Sequence, residues 1–362
     1  MKRQLLYLML FAFVLTACSE RAKSFEVTVN LANGNEKTVY LQKFVDNEAV
    51  TIDSAVIVDD KAKLTAPIGD PQTLYALKVK GKYRPVFFFA DNKDVVFQGD
   101  IYELQNIKIT ASSSQEELNA FNNQLNTYFD QINNNNEAKN QAFKNENYSL
   151  ADSLSLINES LMIAMEKYKI DYFKSHPNSF VTHYLLDQMK QDYPLDQLKE
   201  MASGFTTESV YRKRITDYIS KKERLEIGQP FVDFTLKSEK GEMVKLAEIV
   251  AQNQVTMVDF WASWCSPCRQ ENSFVKTAYQ QFHELGFEVV GVSIDQNEDD
   301  WLQAVKDDKL TWTQVRDSEN KVREKYLIYT IPSNFLYDQH GTMIAKGLRG
   351  EDLAAKLNEL LK

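Results

Sequence analysis

From Ser24 to Thr110 apolar and polar residues alternate with period two, in runs such as FEVTVNL, KTVYLQKF, AVTIDSAVIV, KAKLTA, TLYALKVK, RPVFFFA, DVVFQG and NIKIT. Turn-forming pairs interrupt them at Asn33-Gly34, Gly69-Asp70 and Asp91-Asn92. Successive side chains of a strand point to opposite faces, so this rhythm predicts about seven or eight short strands in an antiparallel β-sandwich or barrel. The pattern then changes. Between residues 115 and 225 glycine occurs only at Gly204, and apolar residues recur at helical spacing. Leu118, Phe121, Leu125, Tyr128 and Phe129 form one such series; Leu161, Met165, Tyr168 and Tyr172 form another. They predict a helical region. The polar run QINNNNEAKNQ (131–141) is expected to interrupt it as a loop or helix end. His176 and His183 fall here, beside Pro177, and read as hydrogen-bonded structural residues rather than ligands.

From about Glu226 strand and helix patterns alternate. VTMVDFWA (255–262) and FEVVGVSID (287–295) predict buried strands, each followed by a helix, with a short strand near TWTQV (311–315) and a helix to Tyr326. SNFLYD (333–338) and MIAKGL (343–348) flank Gln339-His340-Gly341 as a hairpin, and a last helix closes the chain. Such βαβ units layer helices around a central sheet. The whole reads as a multidomain α+β protein. Its expected parts are a leader (1–17), a β-sandwich domain (18–112), a helical connector (113–225) and an α/β domain (226–362).

The leader changes where the protein is expected. Lys2 and Arg3 precede LLYLMLFAFVL (5–15) and then Thr16-Ala17-Cys18, the order of a secretory signal. The apolar run is shorter than the ~20 residues that a helix needs to span a bilayer. Leu15-Thr16-Ala17-Cys18 resembles the bacterial lipobox, which implies lipidation of Cys18 and attachment to a membrane of the cell envelope, facing the periplasm. An ordinary signal peptide with an incidental cysteine, or a short anchor, are the alternatives. The formal charge of −9 falls to about −11 once Lys2 and Arg3 are removed. So acidic a body has no basic excess for phosphates, and nucleic acid is not an expected partner.

The remaining cysteines, Cys265 and Cys268, lie in FWASWCSPCRQE (260–271). A disulfide closing so small a loop constrains the unfolded chain little, so a structural staple is a weak reading. Zinc or copper needs further Cys or His ligands, and a c-type haem needs His where Arg269 stands. Strand–CxxC–helix is instead the arrangement of thiol–disulfide exchange. Unpaired N–H groups and the helix dipole at a first turn stabilise the thiolate of Cys265. Cys268, three residues on, shares its helix face, and Pro267 is tolerated in a first turn. Cys265 reads as the nucleophile and Cys268 as the resolving thiol, with no metal and no cofactor implied.

WCSPCRQE resembles the WCxPCxxE motif of the TlpA-like thioredoxin family, membrane-tethered envelope reductases. The likeness covers about 226–362, and extends to IGQPFVDFTL (227–236) and GVSIDQ (291–296). Ser273 stands where that family has a proline. The β region resembles a domain of unknown function that precedes thioredoxin-like domains in envelope lipoproteins. The resemblance implies a protein-disulfide reductase acting on envelope proteins and supplied by a membrane thiol donor. Glu271 matches the family's active-site glutamate and Asp259 the buried aspartate of thioredoxins; either could deprotonate Cys268. Pro332, in TIPSNF, matches the family's cis-proline, which would free the backbone of Ile331 to pair with an extended substrate. Trp264 is expected as an apolar platform beside the cysteines. Two other classes remain open. IGQPFVDF also resembles peroxiredoxins, although 258–264 lack the proline a peroxidatic cysteine needs. A lipoprotein binding module with secondary redox chemistry is the other.

Overall fold

The computed structural model describes residues 23–45 and 48–361; the leader 1–17 and Cys18 lie outside the described residues. The N-terminal strands are β1 (Ser24–Ala32), β2 (Thr38–Val45), β3 (Glu48–Val56), β4 (Lys61–Pro67), β5 (Leu74–Val79), β6 (Val86–Phe89), β7 (Val95–Asp100) and β8 (Lys108–Thr110). They form two four-stranded sheets, ordered β4-β1-β7-β8 and β3-β2-β5-β6. The period-two pattern sets the faces: Phe25, Val27, Val29 and Leu31 of β1 turn inward, as do Ala62, Leu64 and Ala66 of β4. Both sheets contribute to one core. There Phe25 meets Tyr75 edge-on at 5.5 Å, and Phe88 meets Phe97 edge-on at 5.0 Å.

One pairing departs from the antiparallel expectation. β1 and β7 are parallel, with Val27 opposite Val95. An antiparallel neighbour can follow through a tight hairpin, whereas a parallel one needs a long crossover. Here the five strands between β1 and β7 supply that crossover.

Five helices follow: α1 (Ser113–Lys144), α2 (Tyr148–Ser175), α3 (Phe180–Met189), α4 (Leu195–Ala202) and α5 (Val210–Glu223). The Ser112 hydroxyl caps α1 by accepting from Gln115 N at 3.2 Å. The polar run expected to break the helix does not: α1 passes straight through 131–141. Asn135 donates to Asn158 Oδ1 (2.8 Å), and Asn158 donates to Asn136 Oδ1 (3.0 Å), tying α1 to α2. Asparagine disfavours helices because its side chain competes for the backbone; engaged elsewhere, it no longer does. His183 is buried between Ser209 Oγ and Pro177 O, each 2.9 Å from a ring nitrogen, and burial lowers its pKa. It is a structural residue.

The chain packs as two units, one up to Tyr172 with Ser179–Thr182, the other Phe173–Asn178 and onward from His183. The helices expected as a connector at 113–225 are divided between them.

The second unit also contains β9 (Thr235–Ser238), β10 (Met243–Lys245), α6 (Leu246–Val250), β11 (Val255–Trp261), α7 (Ser266–Phe282), β12 (Phe287–Ser293), α8 (Glu298–Asp307), β13 (Thr313–Arg316), α9 (Lys321–Lys325), β14 (Ser333–Asp338), β15 (Met343–Lys346) and α10 (Glu351–Leu360). Its seven-stranded sheet runs β10-β9-β13-β12-β11-β14-β15. β11, β12 and β13 are parallel, and β14 and β15 complete the sheet antiparallel. Every residue of β11 is buried, as a central strand covered on both faces requires. Residues 227–236 are mostly irregular. Pro230 makes a single bridge to Thr342, and the ladder begins only at Thr235. A proline has no N–H to continue one.

Candidate active site

β11 delivers the chain to the site and a short turn aims it. The buried carboxylate of Asp295 accepts from Ser263 N (2.9 Å), Ser263 Oγ (2.6 Å) and Ser293 Oγ (2.7 Å), fixing the turn between β11 and α7. Arg269 holds the same turn from α7 through Ser263 O (3.2 Å), while Asp308 grips its guanidinium on two nitrogens. Cys265 then takes the cap position of α7 in extended conformation.

Cys265 and Cys268 form a disulfide, with Sγ atoms 2.04 Å apart. Cys265 Sγ also accepts from Cys268 N at 3.2 Å, a backbone donor at the positive end of the helix. Cys265 is 5% exposed and Cys268 1%, so a partner reaches Cys265 first. Trp264 stands beside them, 67% exposed. The Ile331–Pro332 peptide is cis, and Ile331 O lies 3.9 Å from Cys265 Sγ. Thus the turn before β14 meets the tip of α7 with a backbone carbonyl at the disulfide.

Asp259 lies in mid-β11, between Gly291 of β12 and Asn334 of β14. It is 3% exposed, and its Oδ1 has no hydrogen-bond partner among the described residues. Burial pushes its pKa up to about 7; the charge of Arg349 opposes this and that of Glu271 adds to it. Glu271, half-buried on α7, accepts from Gly350 N at 2.8 Å. Gly350 precedes α10 at φ 54°, ψ −127°, a conformation that a side chain would resist. Glu271 therefore braces a second helix start, a use that its position in the motif did not announce.

The structure thus gathers Cys265, Cys268, Trp264, Ile331 and Pro332 at one surface, with Asp259 and Glu271 within electrostatic reach of each other. Sequence reasoning missed Arg349, Asn334, Asp295 and the Arg269–Asp308 pair. Arg349 donates to Leu348 O (2.8 Å) and to Pro332 O. Asn334 accepts from Leu348 N (2.9 Å) and donates to Leu348 O (2.8 Å). Only the acid in GVSID carried a local signal, a carboxylate at the end of an apolar strand.

A buried cysteine pair at a helix cap, met by a cis-proline turn on a mixed sheet, defines a thioredoxin-like thiol–disulfide oxidoreductase. Residues 227–346 match the model of the AhpC/TSA family. Residues 25–118 match a domain of unknown function, DUF4369. The chain is 27% identical over 145 residues to thiol-disulfide oxidoreductase ResA of Bacillus cereus, covering 40% of this chain and 82% of that one. It is 24% identical over 123 residues to ResA of Bacillus subtilis, covering 34% and 68%. Among solved structures, the thioredoxin domain of a Bacteroides vulgatus thiol-disulfide oxidoreductase is 34% identical, with 38% of this chain and 99% of that one covered and a TM-score of 0.36.

Proposed function

We propose that the protein is a lipid-anchored, TlpA-like reductase of disulfides in envelope proteins. The observation that carries this reading is the Cys265–Cys268 pair at the cap of α7 against the cis Ile331–Pro332 turn. In the reduced form the Cys265 thiolate attacks a substrate disulfide, forming a mixed disulfide and releasing one substrate thiolate. Cys268 then gives its proton to a base and attacks Cys265 Sγ. The second substrate thiolate leaves, and the protein carries the Cys265–Cys268 disulfide in place of the substrate's. A membrane thiol donor returns the two electrons. Asp259 is the base, with Glu271 beside it, because a carboxyl titrating at about 7 exchanges protons at working pH.

The backbone of Ile331 pairs with the extended substrate segment, Pro332 keeps it presented, and Trp264 offers an apolar platform. Cys18 carries the lipid. The N-terminal β-rich domain, a β-sandwich, sets the redox domain off from its anchor or meets a protein partner. In this reading the domains are 18–112, 113–225 and 226–362.

Reduction of insulin by the pre-reduced protein tests the assignment. Cys265→Ser should abolish turnover, and Cys268→Ser should trap the mixed disulfide. Full activity in Cys265→Ser would make the nucleophile wrong. Faster oxidation of the dithiol by hydrogen peroxide than by insulin would favour a peroxidase. The direction is tested by equilibrating the pair with glutathione: a potential near −120 mV, about that of a strong oxidant, would reverse it.

A further inference from the structure

The loop Gly347–Gly350, between β15 and α10, ties together parts of the site that lie far apart in sequence. Asn334, the neighbour of Asp259 across β14, holds both backbone groups of Leu348. Gly350 N donates to Glu271. Between them half-buried Arg349 donates to Leu348 O and to Pro332 O, while its charge acts on Asp259. A guanidinium stays charged at any working pH and carries five donors in a rigid fork, so it can grip a carbonyl and act on a carboxylate together.

We propose that Arg349 is a positioning residue for the reaction: one side chain clamps the cis-proline carbonyl on the substrate-pairing turn and sets the charge environment of Asp259. The inference rests on the assignment of Asp259 as the base. Two charged groups act on the titration of Asp259 besides its burial. Arg349 comes from the loop and Glu271 from α7; the strand neighbours Gly291 and Asn334 are uncharged. Arg349 alone favours the carboxylate. Without its charge, burial and Glu271 act unopposed, and Asp259 keeps its proton to higher pH.

The test compares Arg349→Gln with Arg349→Lys in the full-length protein. Asp259 is titrated by carboxyl NMR in the oxidised form; resolution of a mixed disulfide is timed against pH; half-saturation is measured with a disulfide-bonded peptide. Arg349→Gln should raise the Asp259 midpoint by about half to one pH unit. It should also raise half-saturation by roughly 3- to 10-fold, the worth of a lost hydrogen bond at the turn. Arg349→Lys should restore the midpoint but not the half-saturation, because an ammonium lacks the fork. A merely structural role would lower thermal stability and leave the midpoint unmoved. An unmoved midpoint in folded Arg349→Gln overturns the proposal. If the midpoint moves and the pH profile of resolution does not, Arg349 keeps its part and Asp259 loses the role of base. Should Arg349→Gln not fold, Arg349→Lys decides: a kept midpoint with weakened peptide supports the clamp, and unchanged values of both overturn it.

Discussion

A carboxyl buried at the centre of β11 costs free energy whenever it is charged, so Asp259 makes the fold itself depend on pH. Its folded pKa of about 7 lies above the usual carboxylate range. The folded state therefore binds more protons than the unfolded one between about pH 4 and pH 7. Stability falls as pH rises through that window and levels off above it. Asp259→Asn should come closest to the oxidised wild type in stability below about pH 4 and exceed it by a few kcal/mol near pH 8, since the asparagine has no charge to bury. Thermal unfolding at the two pH values checks this; an equal difference at both would mean that Asp259 titrates normally. The same variant should be the slower enzyme. Losing a general base commonly costs ~10²–10⁴-fold, and here the loss belongs to resolution by Cys268, not to attack by Cys265. The defect should shrink as hydroxide takes over at high pH. Glu271→Gln should do less, because its carboxylate is already engaged by Gly350 N. Rapid mixing at pH 6 to 7 separates the steps, and unchanged resolution in both variants would leave these carboxyls structural. The two cysteines and Asp259 were legible because each is chemically out of place in an apolar strand–helix run. Arg349 and Asn334 were not, because the contacts that define them come from residues 14 to 17 positions away.

Among the elements, α5 has a consequence that its polarity conceals. It is rich in charge, yet Tyr211, Ile215 and Tyr218 are buried. The Tyr218 ring lies 6.4 Å from that of Tyr329, two residues before Ile331. A helix assigned to a connector thus packs on the turn that faces the disulfide. Tyr218→Ala should destabilise this unit by about 3 kcal/mol, the scale of a buried aromatic truncation, and Tyr218→Phe by much less. Deuterium uptake at 328–333 should rise in the alanine variant. Unaltered uptake would show that the turn is held from its own side alone. The sequence placed residues up to 225 in a helical region without marking α5 or its partner, since an apolar stripe says only that something covers it. The asparagine run failed differently. Composition argued for a break in α1, and the pairing of Asn135 and Asn136 with Asn158 removed the cause. Such a pairing forms only after two helices meet, which no local window contains.

At the scale of the molecule, the place where composition changes is not where packing divides. Glu226 begins the βα pattern, but Leu225 before it is already buried in the core of the redox domain. The carbonyl of Leu225 accepts from Lys346 Nζ at 2.8 Å, joining the end of α5 to β15. Phe173, further back, is buried in the same unit, with its ring 6.4 Å from Tyr193. The alternating pattern marks where strands begin; it carries no mark of which preceding helices complete their cover. Two fragments separate these views. One starting at Phe173 retains α4, α5 and Leu225, and one starting at Glu226 loses them. The longer fragment should unfold in a single transition and be more stable by roughly 2–4 kcal/mol, the worth of one or two large buried side chains. It should also show the steeper denaturant dependence, because it exposes more surface on unfolding. Both should keep the dithiol reactive, since Cys265, Cys268, Asp259 and Pro332 lie within each. The shorter should bind a disulfide peptide less tightly, its turn at Tyr329 having lost the ring of Tyr218. Tryptophan fluorescence in a urea series gives both quantities. Equal midpoints for the two fragments would assign α4 and α5 to the linker that composition suggested, and would leave the redox domain to begin at Glu226.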